Sequence, residues 1–173
     1  MDDLRTLLHA ALDWHQQACD VEVRGVLNNM VASPASREEI RSAWALEQVP
    51  ASLTTAWRAA RSCRLFEDVG SSTSGFVLLS PDLSAAVTSE LRQSGDTYLA
   101  SDYVVGELLG PTELLVYSSA DRALRTAMRC KSRSQWPRVA PDLPQFIAQW
   151  ILAAGRPWWA PQRSRPGAFG TSP

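Results

Sequence analysis

Two short apolar runs on either side of a three-residue turn constrain the fold of this chain more than any other feature. Residues 103–109 (YVVGELL) and 113–118 (ELLVYS) are rich in valine, leucine and tyrosine, and Gly110-Pro111-Thr112 between them is typical of a hairpin loop. Such a short loop joins antiparallel strands, because parallel strands need a crossover of about a dozen residues or more. Residues 123–128 predict a third strand, so the sequence indicates an antiparallel sheet.

Helical and strand-like patterns surround this hairpin. Apolar residues at helical spacing predict helices from Asp3 to about Cys19, from Ser36, from Pro50 to about Arg61, from Pro81 to Gly95 and from Pro141 to Gly155. Residues 64–66 and 75–79 predict strands and the alternating residues 21–24 favour another, whereas Asn28-Asn29 and Pro34 predict turns. This order of elements favours an α+β fold, a single antiparallel sheet flanked by helices.

The start of the second predicted helix has a clear chemical basis. Ser36 and Glu39 match a capping box, in which the Ser36 hydroxyl accepts a hydrogen bond from the amide of Glu39 and the Glu39 carboxylate accepts one from the amide of Ser36. The helix is therefore predicted to begin directly after Ser36.

The composition suits one globular domain in water. The chain has 173 residues, of which 45% are apolar and 20% charged, and no stretch approaches the ~20 apolar residues of a membrane helix. The acidic N-terminus, Met1-Asp2-Asp3, leads into an amphipathic segment, which is not the pattern of a signal peptide. We therefore expect a cytoplasmic protein that does not enter a membrane.

Charge is distributed unevenly along the chain. Residues 1–120 carry a net charge of −8 and residues 121–173 a net charge of +7, although the whole chain carries only −1. Residues 80–120 contain six acidic residues and a single basic one, Arg92. Such an imbalance steers oppositely charged partners, unless the two halves interleave in the fold and their fields average out.

No motif in the sequence indicates catalysis, a metal or a cofactor. Phosphate-loop, dinucleotide-binding and nucleophile-elbow patterns are absent. Cys19, Cys63 and Cys130 lack metal-ligand spacing and are predicted to be ordinary core or half-buried thiols, and His9 and His15 lie on different faces of one predicted helix. We therefore predict a protein that is not an enzyme, with no catalytic residues, metal or cofactor. Acidic side chains that converge in the fold are the remaining route to acid–base catalysis.

Trp158 and Trp159 are distinctive among the seven tryptophans, because they are adjacent and follow Pro157 near the C-terminus. They predict either closure of the core edge or an exposed contact patch, since tryptophan is enriched at interface hot spots. Residues 160–173, rich in proline, glycine and arginine, predict a flexible tail.

Several segments carry a family resemblance through their order and spacing. The most specific is SDYVVGELLG at 101–110, followed by ELLV at 113–116. The other segments are SREEI at 36–40, VPASL at 49–53, WRAARSCRLF at 57–66, GFVLLSP at 75–81, and a closing part from Trp136-Pro137 through 143–146 to GRPW at 155–158. Together they resemble the SMI1/KNR4 family within the SUKH superfamily. The chain departs from the family at Ser62-Cys63, where many members carry Asn-Gly.

The resemblance implies a domain organisation and a function. It implies a SUKH-like domain over residues 36–159, with an N-terminal helix and connector at 1–35 and the tail at 160–173. Bacterial members look like immunity proteins, cytoplasmic antidotes that bind a cognate polymorphic toxin, often a nuclease. The expected partner is therefore a protein toxin, with no direct contact to nucleic acid. The alternative is a scaffold or regulatory subunit of a larger complex that docks through Trp158-Trp159 and the tail; the oligomeric state is left open.

Acidic residues are the candidate contacts with a basic toxin. A negatively charged surface would complement a nuclease cleft and speed association. We predict Asp96, Asp102, Glu107 and Glu113 as partner-binding residues, with Trp158 and Trp159 as secondary candidates. The alternative for Glu107 and Glu113 is that they are solvent-facing members of alternating strands.

Overall fold

The computed structural model describes residues 4–17, 27–45, 48–68, 74–95, 97–110, 113–128 and 131–159, with 14–17 and 27–28 as backbone only. These residues form one antiparallel sheet of seven strands and five α-helices, which confirms the predicted α+β class. The strands are β1 (Leu27–Val31), β2 (Cys63–Asp68), β3 (Phe76–Leu78), β4 (Asp102–Leu108), β5 (Glu113–Ser118), β6 (Ala123–Ala127) and β7 (Arg138–Ala140). The helices are α1 (Leu4–Gln17), α2 (Arg37–Trp44), α3 (Ala51–Ala59), α4 (Pro81–Gln93) and α5 (Leu143–Leu152), and a single 3-10 turn spans Arg133–Gln135.

The strands lie in the sheet in their order along the chain, from β1 to β7, each antiparallel to the next. The predicted hairpin is β4 and β5, in which Glu107 pairs with Leu114 and Leu108 with Glu113. A shift of register between Val104 and Gly106 introduces a bulge into β4.

The two faces of the sheet carry apolar clusters of different size. The larger cluster, on what we call the main face, joins the sheet to α1, α2, α3 and α5, and includes Trp57, Phe76 and Trp150. The smaller cluster, on what we call the α4 face, includes the paired residues Val104 and Val116. Both faces are therefore covered by helices, although unequally.

Helix α4 also completes the hydrogen bonding of β4. The Ser84 hydroxyl donates to the carbonyl oxygen of Val104, and the amide of Val104 donates to the Thr88 hydroxyl at 2.9 Å. Both hydroxyl side chains are buried and lie four residues apart on α4. Strand β3 is short, and its last paired residue, Leu78, lies opposite Gly106. Helix α4 therefore bonds the main-chain N–H and C=O of Val104, which a longer β3 would have bonded instead.

The predicted helices are found, and the Ser36–Glu39 capping box is confirmed, with the Glu39 amide 3.1 Å from Ser36 Oγ and the Ser36 amide 2.7 Å from Glu39 Oε2. Cys63 is a free, buried thiol as predicted, whereas Cys19 and Cys130 lie outside the described residues. Within the described part of the chain, no helix has the length and apolar character needed to cross a bilayer.

The turn predicted at Asn28-Asn29 is wrong, because both residues lie in strand β1. The side-chain Nδ2 of Asn29 donates to the carbonyl oxygen of Ala11 at 2.8 Å. The side-chain Oδ1 of Asn29 accepts from the backbone amide of Phe66 at 2.6 Å. Tertiary contacts with α1 and β2 thus outweigh the turn preference of asparagine. The strand favoured at 21–24 lies outside the described residues, as does the tail at 160–173.

Candidate functional site

The candidate carboxylates that the structure describes do not share one surface. Glu107 pairs with Leu114, and Glu113 pairs with Leu108. Because successive side chains of a strand point to opposite faces, Glu107 lies on the α4 face and Glu113 on the main face. The single acidic patch expected from the sequence is therefore not formed by these residues, and Asp96 lies outside the described part of the chain.

Glu107 lies in a groove of about 530 Å³ between α4 and the sheet, which we call the acidic groove. Its described lining is Val87, Glu90, Leu91, Ser94, Gly95, Thr97, Tyr98, Glu107, Leu114, Met128 and Trp136. Two of these residues are acidic and none is lysine or arginine. The rings of Tyr98 and Trp136 lie 5.0 Å apart, so part of the wall is aromatic. A groove with apolar walls and two carboxylates is suited to a basic segment of a partner.

Glu90 is a site residue that the sequence analysis did not select. It lies on the exposed side of α4, within the acidic stretch 80–120. Its place in the same groove as Glu107 depends on how α4 packs against β4, which a single sequence does not specify. In the sequence Glu90 is one of six acidic residues within 80–120, and no local pattern distinguishes it from the others.

Asp102 is buried and structural. Its side chain is 0% exposed, and Arg133 holds it with two hydrogen bonds of 2.9 Å and 2.7 Å. The amide of Leu99 donates a third hydrogen bond of 3.0 Å to this carboxylate. Burial alone would raise the pKa of Asp102, but the hydrogen bonds from Arg133 and Leu99 hold it below its usual value. The carboxylate is fully engaged inside the protein and does not face a partner.

Glu113 lies in a different depression, a cavity of about 420 Å³ on the main face that we call the aromatic cavity. Its described lining is Ser74, Gly75, Leu108, Leu109, Glu113, Met128, Lys131, Gln135, Pro137, Trp150, Gly155, Pro157 and Trp159. Most of these side chains are apolar, and Met128 also lines the acidic groove. The cavity and the groove therefore lie on either side of Met128.

The environment of Glu113 perturbs its ionisation. The residue is only 7% exposed, and burial raises the pKa of its carboxyl group, although the charge of Lys131 and a hydrogen bond with the Trp159 side chain oppose the shift. A carboxyl group with a raised pKa in a cavity is a marker of binding or catalytic sites. The sequence analysis interprets Glu113 either as a partner contact or as a solvent-facing strand residue, and neither interpretation predicts a buried side chain.

Trp158 and Trp159 close the edge of the main-face core. Trp159 lies 6.0 Å from Phe146 and 6.0 Å from Trp150, and Trp158 lies 5.5 Å from Phe146, between ring centroids. Trp158 nevertheless remains 37% exposed. The pair therefore belongs to the core edge, and Trp159 is also a wall of the aromatic cavity.

The described residues offer little for metal or nucleophilic chemistry. Among them no three histidine, cysteine, aspartate or glutamate side chains are grouped so that they could hold a metal ion. Burial raises the pKa of the Cys63 thiol to about 12, which keeps it protonated and unreactive.

No protein-family model matches the chain, and no curated protein matches it. Its function is therefore inferred from the residues, their geometry and the sequence resemblance.

Proposed function

We propose that this chain is a non-catalytic protein-binding module, an immunity protein of the SMI1/KNR4 type that acts in the cytoplasm by binding and neutralising a basic polymorphic toxin. The segments SDYVVGELLG and ELLV, with the matching segments before and after them, support the family. They form β4 and the start of β5, at the centre of a single antiparallel sheet flanked by helices.

The acidic groove is the observation that carries this proposal. Glu107 extends from the sheet and Glu90 from α4 into one depression, without a lysine or arginine among its described lining residues. No described lining residue of the groove neutralises their negative charges, which would therefore attract a basic partner. Apolar neighbours such as Leu91 and Leu114 would exclude water from the contact, which strengthens charge pairs.

Neutralisation by this groove requires binding and no turnover. Complementary charge accelerates encounter, and the apolar walls then slow dissociation. A basic nuclease would present to the groove the positive surface with which it holds phosphates, so that the carboxylates occupy the place of the nucleic acid. The complex is expected to be stoichiometric.

The first test is capture of the partner from the source cells, with the tagged full chain as bait and mass spectrometry as readout. The proposal expects one stoichiometric partner with a basic surface, which arrests growth when it is produced without this chain. Several non-toxic subunits of one assembly would indicate the scaffold function instead, and would overturn the immunity function.

A pair of charge reversals tests the groove itself. The variant Glu90→Arg/Glu107→Arg should weaken the captured complex by at least about tenfold, since each close charge pair at an interface contributes about 1 kcal/mol or more. The matched control is Asp13→Arg/Glu38→Arg, which changes the net charge equally at two exposed carboxylates outside the groove. Equal affinity for the two variants would contradict a groove-centred interface.

A further inference from the structure

The aromatic cavity is not used by the proposed toxin interface and has the construction of a ligand site. Its volume of about 420 Å³ lies within the ~300–1,000 Å³ range of small-molecule sites. Its walls are formed mainly by apolar side chains, among them Leu108, Met128, Trp150 and Trp159. Such sites combine apolar walls with a few placed polar groups that orient the ligand.

A polar group of this kind belongs to the lining. Glu113 is buried to more than nine-tenths and contributes a carboxylate.

We propose that the aromatic cavity binds a small organic ammonium ion with an apolar body. The ammonium group would donate to Glu113, and the apolar body would contact the side chains of Leu108, Met128 and Pro137. The indole rings of Trp150 and Trp159 also line the cavity, and indole is the aromatic system that attracts cations most strongly. A carboxylate beside two indoles thus favours a cation over a neutral or anionic ligand.

The ionisation of Glu113 supports the same ligand class. Burial raises the pKa of this carboxyl group, which means that its ionised form is poorly solvated where it lies. Lys131 acts on the carboxylate through its charge, but it is exposed and water screens it. An ammonium ion inside the cavity would be less screened and would compensate the carboxylate directly.

A matched series of probes tests the proposal on the purified full chain. The probes are 2-phenylethylammonium, 2-phenylethanol and phenylacetate, which share one aromatic body and carry a positive, a neutral and a negative end. Binding is followed by titration calorimetry and by the ¹H–¹⁵N signals of the indole groups, assigned with Trp150→Phe and Trp159→Phe. We expect saturable binding of the ammonium probe, weaker binding of the alcohol and none of the acid, with shifts of the Trp150 and Trp159 signals.

The variant Glu113→Gln separates charge from shape. It retains an acceptor oxygen for Trp159 and removes the negative charge, so affinity for the ammonium probe should fall by about tenfold while affinity for the alcohol is unchanged. The control Glu38→Gln removes an exposed carboxylate on α2 and should leave both affinities unchanged.

Equal affinity for the ammonium ion and the alcohol, or no response of the two indole signals, would overturn this proposal. It stands apart from the toxin proposal, because these titrations contain no partner protein and Glu113 does not line the acidic groove.

Discussion

Arg133 holds Asp102 through two hydrogen bonds, from Nε to Oδ2 at 2.9 Å and from Nη2 to Oδ1 at 2.7 Å. Asp102 begins β4, and Arg133 lies in the 3-10 turn that precedes β7. The same guanidinium donates to the Ser118 hydroxyl at 3.1 Å, at the end of β5. The ion pair therefore holds the segment after β6 against the end of the central hairpin. Asp102, which the sequence analysis predicts to bind a partner, instead stabilises the fold.

Removing the charge of Asp102 should destabilise the protein strongly. Asp102→Asn is expected to lower the free energy of unfolding by about 3 kcal/mol, because it breaks a pair in which the carboxylate is buried and leaves Arg133 with only the more distant Asp121, at 3.8 Å, as an ionic partner. The measurement is urea-induced unfolding. The control is Glu90→Gln, since Glu90 is an exposed carboxylate on α4 and its loss should change the free energy of unfolding by less than about 0.5 kcal/mol. Equal losses for the two variants would contradict the structural role of Asp102.

The same ion pair sets a pH dependence. Because the pKa of Asp102 is lower in the folded protein than in the unfolded chain, its contribution is complete above the unfolded pKa of about 3.9 and is lost as pH falls through the folded pKa. The difference in unfolding free energy between the natural chain and Asp102→Asn should therefore shrink as the pH falls below about 4. A difference that stays constant to about pH 2 would show that the ionised pair contributes no stability.

The ionisation of Glu113 should have the opposite effect on stability from that of Asp102. Burial raises the pKa of Glu113, so the folded protein favours the protonated form, and this stabilising contribution is lost as pH rises through the folded pKa. Glu113→Gln stays neutral at every pH and is expected to raise the Tm at pH 7, with no gain below about pH 4. Thermal unfolding at both pH values measures this. A lower Tm for Glu113→Gln at pH 7 would mean that the ionised carboxylate is stabilising where it lies.

The capping box of α2 offers a local test. Ser36→Ala removes the oxygen that accepts from the Glu39 amide and should cost about 1 kcal/mol of unfolding free energy. Ser42→Ala is the matched control, since Ser42 is exposed within the same helix and alanine is the better helix former. Denaturant unfolding of the two variants should therefore give changes of opposite sign, and a loss for both would indicate that the hydroxyl of Ser36 is not specifically required.

The sequence predicts elements whose signal is local. Helical spacing, the capping box and the Gly110 turn are short-range features, and the structure contains the corresponding helices and the β4–β5 hairpin. The two strands that the sequence does not predict, β1 and β7, depend on contacts with neighbouring elements of the fold. Strand β1 contains Asn29, which is fastened by α1 and β2, and β7 has only three residues beside β6.

The candidate site is less predictable, because it depends on register and on packing between distant elements. Glu107 and Glu113 are close in sequence, and only the pairing of Leu108 with Glu113 shows that they face opposite sides of the sheet. Glu90 joins Glu107 through the packing of α4. The aromatic cavity combines residues from β4, β5, α5 and the segment that follows α5, which no local pattern in the sequence connects.

Gly106, within the segment 101–110 that carries the family resemblance, packs closely against β3, and mutation can test this contact. A Cβ atom at this position would lie 2.5 Å from Cε2 of Phe76 and 2.7 Å from the carbonyl oxygen of Val77. The Phe76 ring is buried and lies 5.0 Å from the ring of Phe146, and the Val77 oxygen belongs to the backbone of β3, so neither group can move freely. Gly106→Ala should therefore lower the free energy of unfolding by about 1–3 kcal/mol, the usual cost of overpacking a core. Urea unfolding measures this loss, and a variant as stable as the natural chain would show that β3 and β4 can separate enough to admit a methyl group.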